Sequence, residues 1–174
     1  TQELIFALSD LLRNLLKHTE EVITLREEMK YVEDYLFLQK ARFADRIQVV
    51  TQVDEGVWNA RIPKFILQPL VENAVVHGLE PSLTGGTLTL TAGKDEKNDL
   101  VITVADTGVG MDMAAMDALF QPKPRRYNGR HSGLGVNNVN GRIQHYFGPR
   151  YGVSIASKPG EGCQVTVTVP FLEE

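Results

Sequence analysis

A chain of 174 residues with a net charge of -4 and 43% apolar content has room for one domain, or one domain plus a helical appendage, and gives no sign of a nucleic-acid binder. Its single cysteine, Cys163, excludes an internal disulfide and fits a reducing compartment. No signal peptide is visible, and no apolar run approaches the roughly 20 residues needed to cross a bilayer.

In chain order, Leu4, Ile5, Leu8, Leu11, Leu12, Leu15 and Leu16 recur at three- and four-residue steps and predict an amphipathic helix. A second helix is expected from Thr24, where Thr24-Leu25-Arg26-Glu27 has capping-box spacing, to about Asp45. Together the two suggest an antiparallel hairpin over residues 1–45 with surplus apolar surface for dimerisation. Ile47 to Val53 then reads as a strand, so the boundary to a second unit, residues 46–174, is placed near Asp45. Pro63 suits the first turn of a helix running to His77, inside which Pro69 should act as a kink. Thr87 to Ala92 and Leu100 to Ala105 read as strands joined by a polar turn. Met111 to Phe120 is expected to be a short helix, and Gln121 to Ser132, rich in Pro, Gly and Arg, a mobile loop. Val136 to Phe147 reads as helix, and Val153 to Ser157 and Gln164 to Val169 as strands around Pro159-Gly160-Glu161-Gly162. The expected class is α+β, a two-layer sandwich of one mixed sheet covered by helices, preceded by the hairpin.

Charge is unevenly spread. Ala118 to Gly160 contains no Asp or Glu but carries Lys123, Arg125, Arg126, Arg130, Arg142, Arg150 and Lys158. A cationic stretch inside an acidic chain suits a polyphosphate, or else is a solvated loop.

Three short segments carry the chemistry. Asp106-Thr107-Gly108-Val109-Gly110 ends an alternating apolar strand, so one carboxylate enters a loop of two glycines where a side-chain acceptor can meet a flat ligand. In Glu72-Asn73-Ala74-Val75-Val76-His77-Gly78, Asn73 and His77 share a helical face. An uncharged amide oxygen suits Mg²⁺, which bridges to substrate phosphates, whereas a solvent-facing Asn is the plain alternative. Glu72 is open between a general base, a neighbour that orients Asn73 and a surface charge; His77 is open between a helix-end cation and a ring against a base. Gly133-Leu134-Gly135 opens a helix, where backbone N–H groups can point at phosphate, or forms a hinge. Lys123, Arg125, Arg126 and Arg130 precede it and could close over a nucleotide; Asn137 follows in the first turn. No Walker-type phosphate loop, zinc-ligand spacing, nucleophile elbow or aromatic stacking platform occurs.

With Gly160-Glu161-Gly162, these segments resemble the N box and glycine boxes of the ATP-binding fold shared by histidine kinases, gyrase, the ninety-kilodalton heat-shock chaperone and MutL. Leu8 to Arg13, Tyr35 to Phe43 and Ile62 to Ala74 are similar to LytS-type sensor histidine kinases, and the resemblance covers essentially the whole chain. It implies that Asn73 coordinates Mg²⁺ on the ATP phosphates, that Asp106 accepts the adenine amino group, and that Gly108 and Gly110 let the backbone approach the base. His77 would lie against adenine or ribose, Phe120 would start the lid, and Gly133 and Gly135 would contact phosphates, with Leu134 between them and Asn137 nearby. The implied activity is transfer of the γ-phosphoryl of Mg·ATP to a histidine, then to a response-regulator receiver domain. The implied setting is a homodimeric bacterial membrane sensor whose cytoplasmic part this is, with no nucleic-acid partner. Val76 stands where the family often has Lys, Cys163 where Thr is usual, and Pro69 where the ATPase relatives carry a catalytic Glu, which favours transfer to protein over hydrolysis. The segment bearing the family's phosphoacceptor His does not occur, so the chain is expected to be a piece of a longer receptor. An anti-sigma-factor-type Ser/Thr kinase and a non-catalytic nucleotide-sensing or dimerisation module are the alternatives.

Overall fold

The alternation in Leu100 to Ala105 builds the central strand of a five-stranded sheet. The computed structural model describes residues 22–121 and 134–173, without the side chain of residue 134. The first expected helix, Leu4 to Leu16, and all but the first residue of the Gln121 to Ser132 loop lie outside the described residues. In chain order the elements are β1 (Val22–Thr24), α1 (Leu25–Phe43), β2 (Ile47–Val53), β3 (Arg61–Pro63) and α2 (Gln68–Asn73), which runs into a wider π-helical turn (Ala74–Leu79). Then follow β4 (Gly86–Lys94), β5 (Asp99–Asp106), α3 (Met113–Phe120), α4 (Leu134–Phe147), β6 (Gly152–Ser157) and β7 (Cys163–Pro170).

The sheet order is β2-β4-β5-β7-β6. β2 runs parallel to β4, reached through β3 and α2, and the other neighbours are antiparallel, so the sheet is mixed as expected. Period-2 alternation puts Leu88, Leu90 and Ala92 of β4, Leu100, Ile102 and Val104 of β5, and Val165, Val167 and Val169 of β7 on one buried face. Against it pack Leu70, Val71, Val75 and Leu79 from α2 and its π turn, and Val136, Val139 and Ile143 from α4. Each such Val, Leu or Ile side chain stabilises the fold by about 1.5–3 kcal/mol relative to an exposed one. The opposite face carries half-buried threonines, among them the hydroxyl pair Thr91 and Thr103. The result is the two-layer α+β arrangement.

α1 starts where the sequence places it. Thr24 Oγ1 accepts the Glu27 N–H at 3.2 Å and Glu27 Oε2 accepts the Thr24 N–H at 2.8 Å, a complete capping box. The Leu25 N–H donates to the Ala60 carbonyl at 2.8 Å and the Arg26 N–H to the Trp58 carbonyl at 3.0 Å, so the helix start is tied to the sheet domain. Leu25, Met29 and Val32 belong to the same buried cluster as the sheet residues. Thr24→Ala is therefore expected to lower stability by about 1 kcal/mol, read as the urea midpoint at unchanged slope.

The prolines depart from expectation. Pro63 ends β3 and pairs in register with Val22; it starts no helix. Pro69 lies in the first turn of α2, where its missing N–H costs nothing, so it does not kink a helix interior. The helix begins late because the Phe65 and Leu67 N–H groups before it donate to an acceptor that is distant in sequence, Glu28 of α1.

Candidate nucleotide site

Asp106 is the last residue of β5 and continues the inward row Leu100, Ile102, Val104, so its carboxylate points to the helix layer rather than to solvent. It is 7% exposed. Oδ1 accepts the Gly108 N–H at 2.8 Å. Burial holds the carboxyl above the usual carboxylate range, opposed by hydrogen bonds from the Gly108 and Cys163 backbone. The loop after it is locked onto the π turn. The Val109 N–H donates to the Gly78 carbonyl at 3.0 Å, and the Gly160 N–H donates to the Val109 carbonyl at 2.7 Å. A methyl group on Gly78 would stand 2.5 Å from Asp106 Oδ1, so only glycine lets the carboxylate lie flat against that backbone. Gly110 turns the chain at φ 67°, a conformation glycine adopts without strain.

Above this loop a cavity of about 400 Å³ opens between α2, α3, α4 and the ends of β5 and β7. Asp106, Gly78 and Gly110 line it together with Asn73 and His77, and the remainder of the wall is apolar, including Leu70, Met111, Leu119, Val136 and Cys163. One acceptor and one amide in an apolar pocket suit a ligand with a flat apolar body and a polar tail. Asn73 Nδ2 is buried and has no hydrogen-bond partner among the described residues. It sits under the start of α4: a methyl on Gly135 would come within 3.2 Å of it and 3.0 Å of Pro69 Cβ. A half-turn of the amide exchanges its nitrogen and oxygen, so the position is equally available to an oxygen. Among the described residues no cluster of three or more His, Cys, Asp or Glu side chains could hold a metal. A single hard oxygen nevertheless fits Mg²⁺, which keeps several waters and takes its other ligands from phosphates.

The structure brings Asn73, His77, Asp106 and Gly110 to one cavity, with Gly135 against Asn73 and Gly108 forming the loop's contact with Gly78. Other expected residues lie elsewhere. Glu72 Oε1 accepts from Gln68 Nε2 at 3.2 Å and does not line the cavity. Phe120 packs on the core, and its neighbour Leu119 faces the cavity instead. Asn137 lines a shallow groove on α4 with Arg142 and His145. Leu134 opens α4, and Lys123, Arg125, Arg126, Arg130 and Gly133 lie outside the described residues.

The apolar wall was not legible in advance, because alanines and methionines at helical spacing read as core. One signal stands out afterwards. α3, Met-Ala-Ala-Met-Asp-Ala-Leu-Phe, has no buried residue despite its composition. Its Ala115, Ala118 and Leu119 line the cavity. Cys163, opposite Asp106 in the β5–β7 register, is a neutral part of that wall: burial and the nearby carboxylate push its thiol up to about 11.

Comparison with known proteins agrees with this geometry. The family described as "Histidine kinase-, DNA gyrase B-, and HSP90-like ATPase" matches residues 59–173, and the family "Histidine kinase" matches residues 1–47. The chain is 33% identical over 172 residues to the sensor histidine kinase BtsS of Escherichia coli strain K12, covering 99% of the chain and 28% of that protein. It is 33% identical over 176 residues to the sensor protein LytS of Staphylococcus saprophyticus, covering 99% of the chain and 29% of that protein. The chain thus spans just over a quarter of these relatives' length. The histidine kinase domain of a blue-light-activated kinase from Erythrobacter litoralis superposes with a TM-score of 0.60 at 16% identity, covering 98% of this chain and 74% of that one; this likeness bears on the fold alone. No described helix is long and apolar enough to cross a membrane.

Proposed function

The chain belongs to the histidine kinase-, DNA gyrase B- and HSP90-like ATPase family, and from that premise we propose that it is the ATP-binding kinase part of a two-component sensor histidine kinase. In this reading it passes the γ-phosphoryl of Mg·ATP to a histidine of the sensor, from which a response-regulator aspartate takes it. The sensor would act as a homodimer at a bacterial membrane, with this part in the cytoplasm and residues 1–45 as a helical hairpin joining it to the phosphoacceptor region.

The observation that carries the reading is that one cavity is lined by both a buried acceptor, Asp106, and the buried amide nitrogen of Asn73, unpartnered among the described residues. Asp106 takes the exocyclic amino group of adenine, a donor that guanine replaces with an acceptor oxygen. The apolar wall from Met111, Leu119 and Val136 sandwiches the base and excludes water. Asn73 would hold Mg²⁺, which when bound neutralises charge on the transferring phosphoryl group. Gly135 lets the start of α4 pack closely on Pro69 and Asn73, and Glu72, tied to Gln68 on the same helix, helps fix the orientation of α2. No covalent step within this domain is needed: positioning and charge neutralisation supply the rate.

Calorimetric titration tests the reading. In Mg²⁺ the chain is expected to bind a non-hydrolysable ATP analogue saturably at or below about 1 mM, with the guanine counterpart weaker by roughly tenfold or more. The full sensor is expected to acquire acid-labile label on a histidine. No saturable binding, or equal affinity for the guanine analogue, would refute the assignment of the cavity.

A further inference from the structure

The segment between β3 and α2 is built as a junction. Phe65 holds φ 58°, the left-handed region that a bulky residue enters only when its surroundings impose it. Those surroundings come from two other helices. From α1, Glu28, which is 0% exposed, accepts the Phe65 N–H and the Leu67 N–H at 2.9 Å each. From α4, the Arg142 guanidinium donates to the Lys64 carbonyl. Lys64 itself is 5% exposed, with its ammonium 4.6 Å from the Phe65 ring and 5.7 Å from the Tyr31 ring of α1.

Burying a carboxylate is expensive, and burial does hold Glu28 above the usual range, opposed by backbone donors from residues 65 to 68. Those donors run through the junction to Gln68, the first residue of α2, whose own N-cap makes no side-chain cap hydrogen bond. Glu28 therefore anchors the entry to α2 from a distance of 39 residues along the chain. α2 carries Asn73 at its far end. Arg142 lies seven residues after Gly135, two helical turns along the same stripe of α4, and Gly135 is the residue packed against Pro69 and Asn73. α2 and α4 are thus pinned to each other at two levels, by Arg142 at the junction and by Gly135 at the site.

We infer that Glu28 and Arg142 are positioning residues for the phosphate end of the nucleotide site. They set where Asn73 stands relative to the start of α4, while Asp106, held by β5 and its own loop, sets the base end. The inference rests on the ATP-site reading above. It also makes α1 a mechanical input to the site, since any shift of α1 along its axis moves the Glu28 anchor and with it Asn73.

The test separates the two ends of the ligand. Arg142→Met keeps the aliphatic stem and removes the donor; Arg142 is half-exposed, so the chain should stay folded. Affinities for a non-hydrolysable ATP analogue in Mg²⁺ and for adenosine, which has no phosphates, are measured for the unchanged chain, Arg142→Met and Arg142→Lys. Arg142→Met should bind the triphosphate roughly tenfold more weakly and adenosine within about twofold of the unchanged chain, and Arg142→Lys should recover most of the loss. Glu28→Asp, which retracts the acceptors and keeps the charge, should produce the same one-sided loss from the α1 side. Equal losses for both ligands, or none for either, would overturn the positioning role while the ATP-site reading stood. Absence of triphosphate binding by the unchanged chain would overturn that reading and this inference with it.

Discussion

Asp106→Asn is expected to lower the affinity for an ATP analogue by about 1–3 kcal/mol, about 5- to 150-fold, without lowering the stability of the ligand-free chain. The side chain keeps its size and its amide oxygen can still accept the Gly108 N–H, now 2.8 Å from the carboxylate. What changes is the second polar atom, which turns from acceptor to donor and then opposes the adenine amino group. Stability moves the other way for a physical reason. Burial raises the Asp106 pKa in the folded chain, so the folded state holds this proton more tightly than the unfolded state does. Stability is then lost as pH rises from the unfolded carboxylate range through the folded value. Asparagine carries no charge to bury, so the variant should lack that acidic slope and be at least as stable as the parent at pH 7. Binding isotherms at pH 7 and urea midpoints across the acidic range check both halves. A variant of undiminished affinity would show that the base does not rest on Asp106; one that unfolds would show that the carboxylate is structural.

The residues most legible in the sequence are those whose environment is set by local periodicity. Asp106 could be found because strand alternation fixes its face, and the same alternation gave the central sheet its strands. Thr24 could be found because a capping box is contained within four residues, and the helix starts there. Asn73 and His77 were placed together by helical spacing, and they reach one cavity although the wider turn from Ala74 to Leu79 replaces regular helix, with the Glu80 N–H bonded to the Val75 carbonyl at 2.8 Å. The start of α2 was not legible, because the Phe65 and Leu67 N–H groups just before it are satisfied by Glu28, and no local rule sees an acceptor 39 residues away. For the same reason the helix expected from Pro63 starts too early, which puts Pro63 in a first turn instead of β3 and Pro69 in an interior instead of the first turn. The apolar wall of the cavity was hidden differently: Ala115, Ala118 and Leu119 carry helix-face spacing whether the face meets a core or a ligand. The division of the chain at Asp45 rests on the composition change there, whereas Leu25, Met29 and Val32 before it share a buried cluster with Leu67, Leu70 and Val71 after it.

Gly108→Ala is expected to cost more stability than any surface change in this chain, and nucleotide binding with it. Gly108 is buried beneath the cavity, and a methyl group there would overlap the carbonyl of Gly78 outright. The obstacle is backbone on both sides, so no rotamer change can relieve it. Gly78 cannot retreat, since its own α-carbon lies against the Asp106 carboxylate and its carbonyl accepts the Val109 N–H at 3.0 Å. Relief requires the loop to lift, which breaks that hydrogen bond and strains the one from the Gly108 N–H to Asp106. Overpacking of about 1–3 kcal/mol and one or two hydrogen bonds of about 1 kcal/mol each give an expected loss of about 2–5 kcal/mol. Against a typical stability of about 5–15 kcal/mol this leaves the chain folded only if it starts well above the lower bound. The matched control is Gly141→Ala. Gly141 lies in α4 with nothing within 4 Å of an added methyl, so alanine should stabilise there by about 0.5–1 kcal/mol through the unfolded chain's lost freedom. Urea midpoints for the two variants should therefore move in opposite directions, and only Gly108→Ala should lose the ATP analogue. Were Gly108→Ala to keep both its midpoint and its affinity, the close seating of the Asp106 loop on the Gly78 turn could not be what shapes the base end of the cavity.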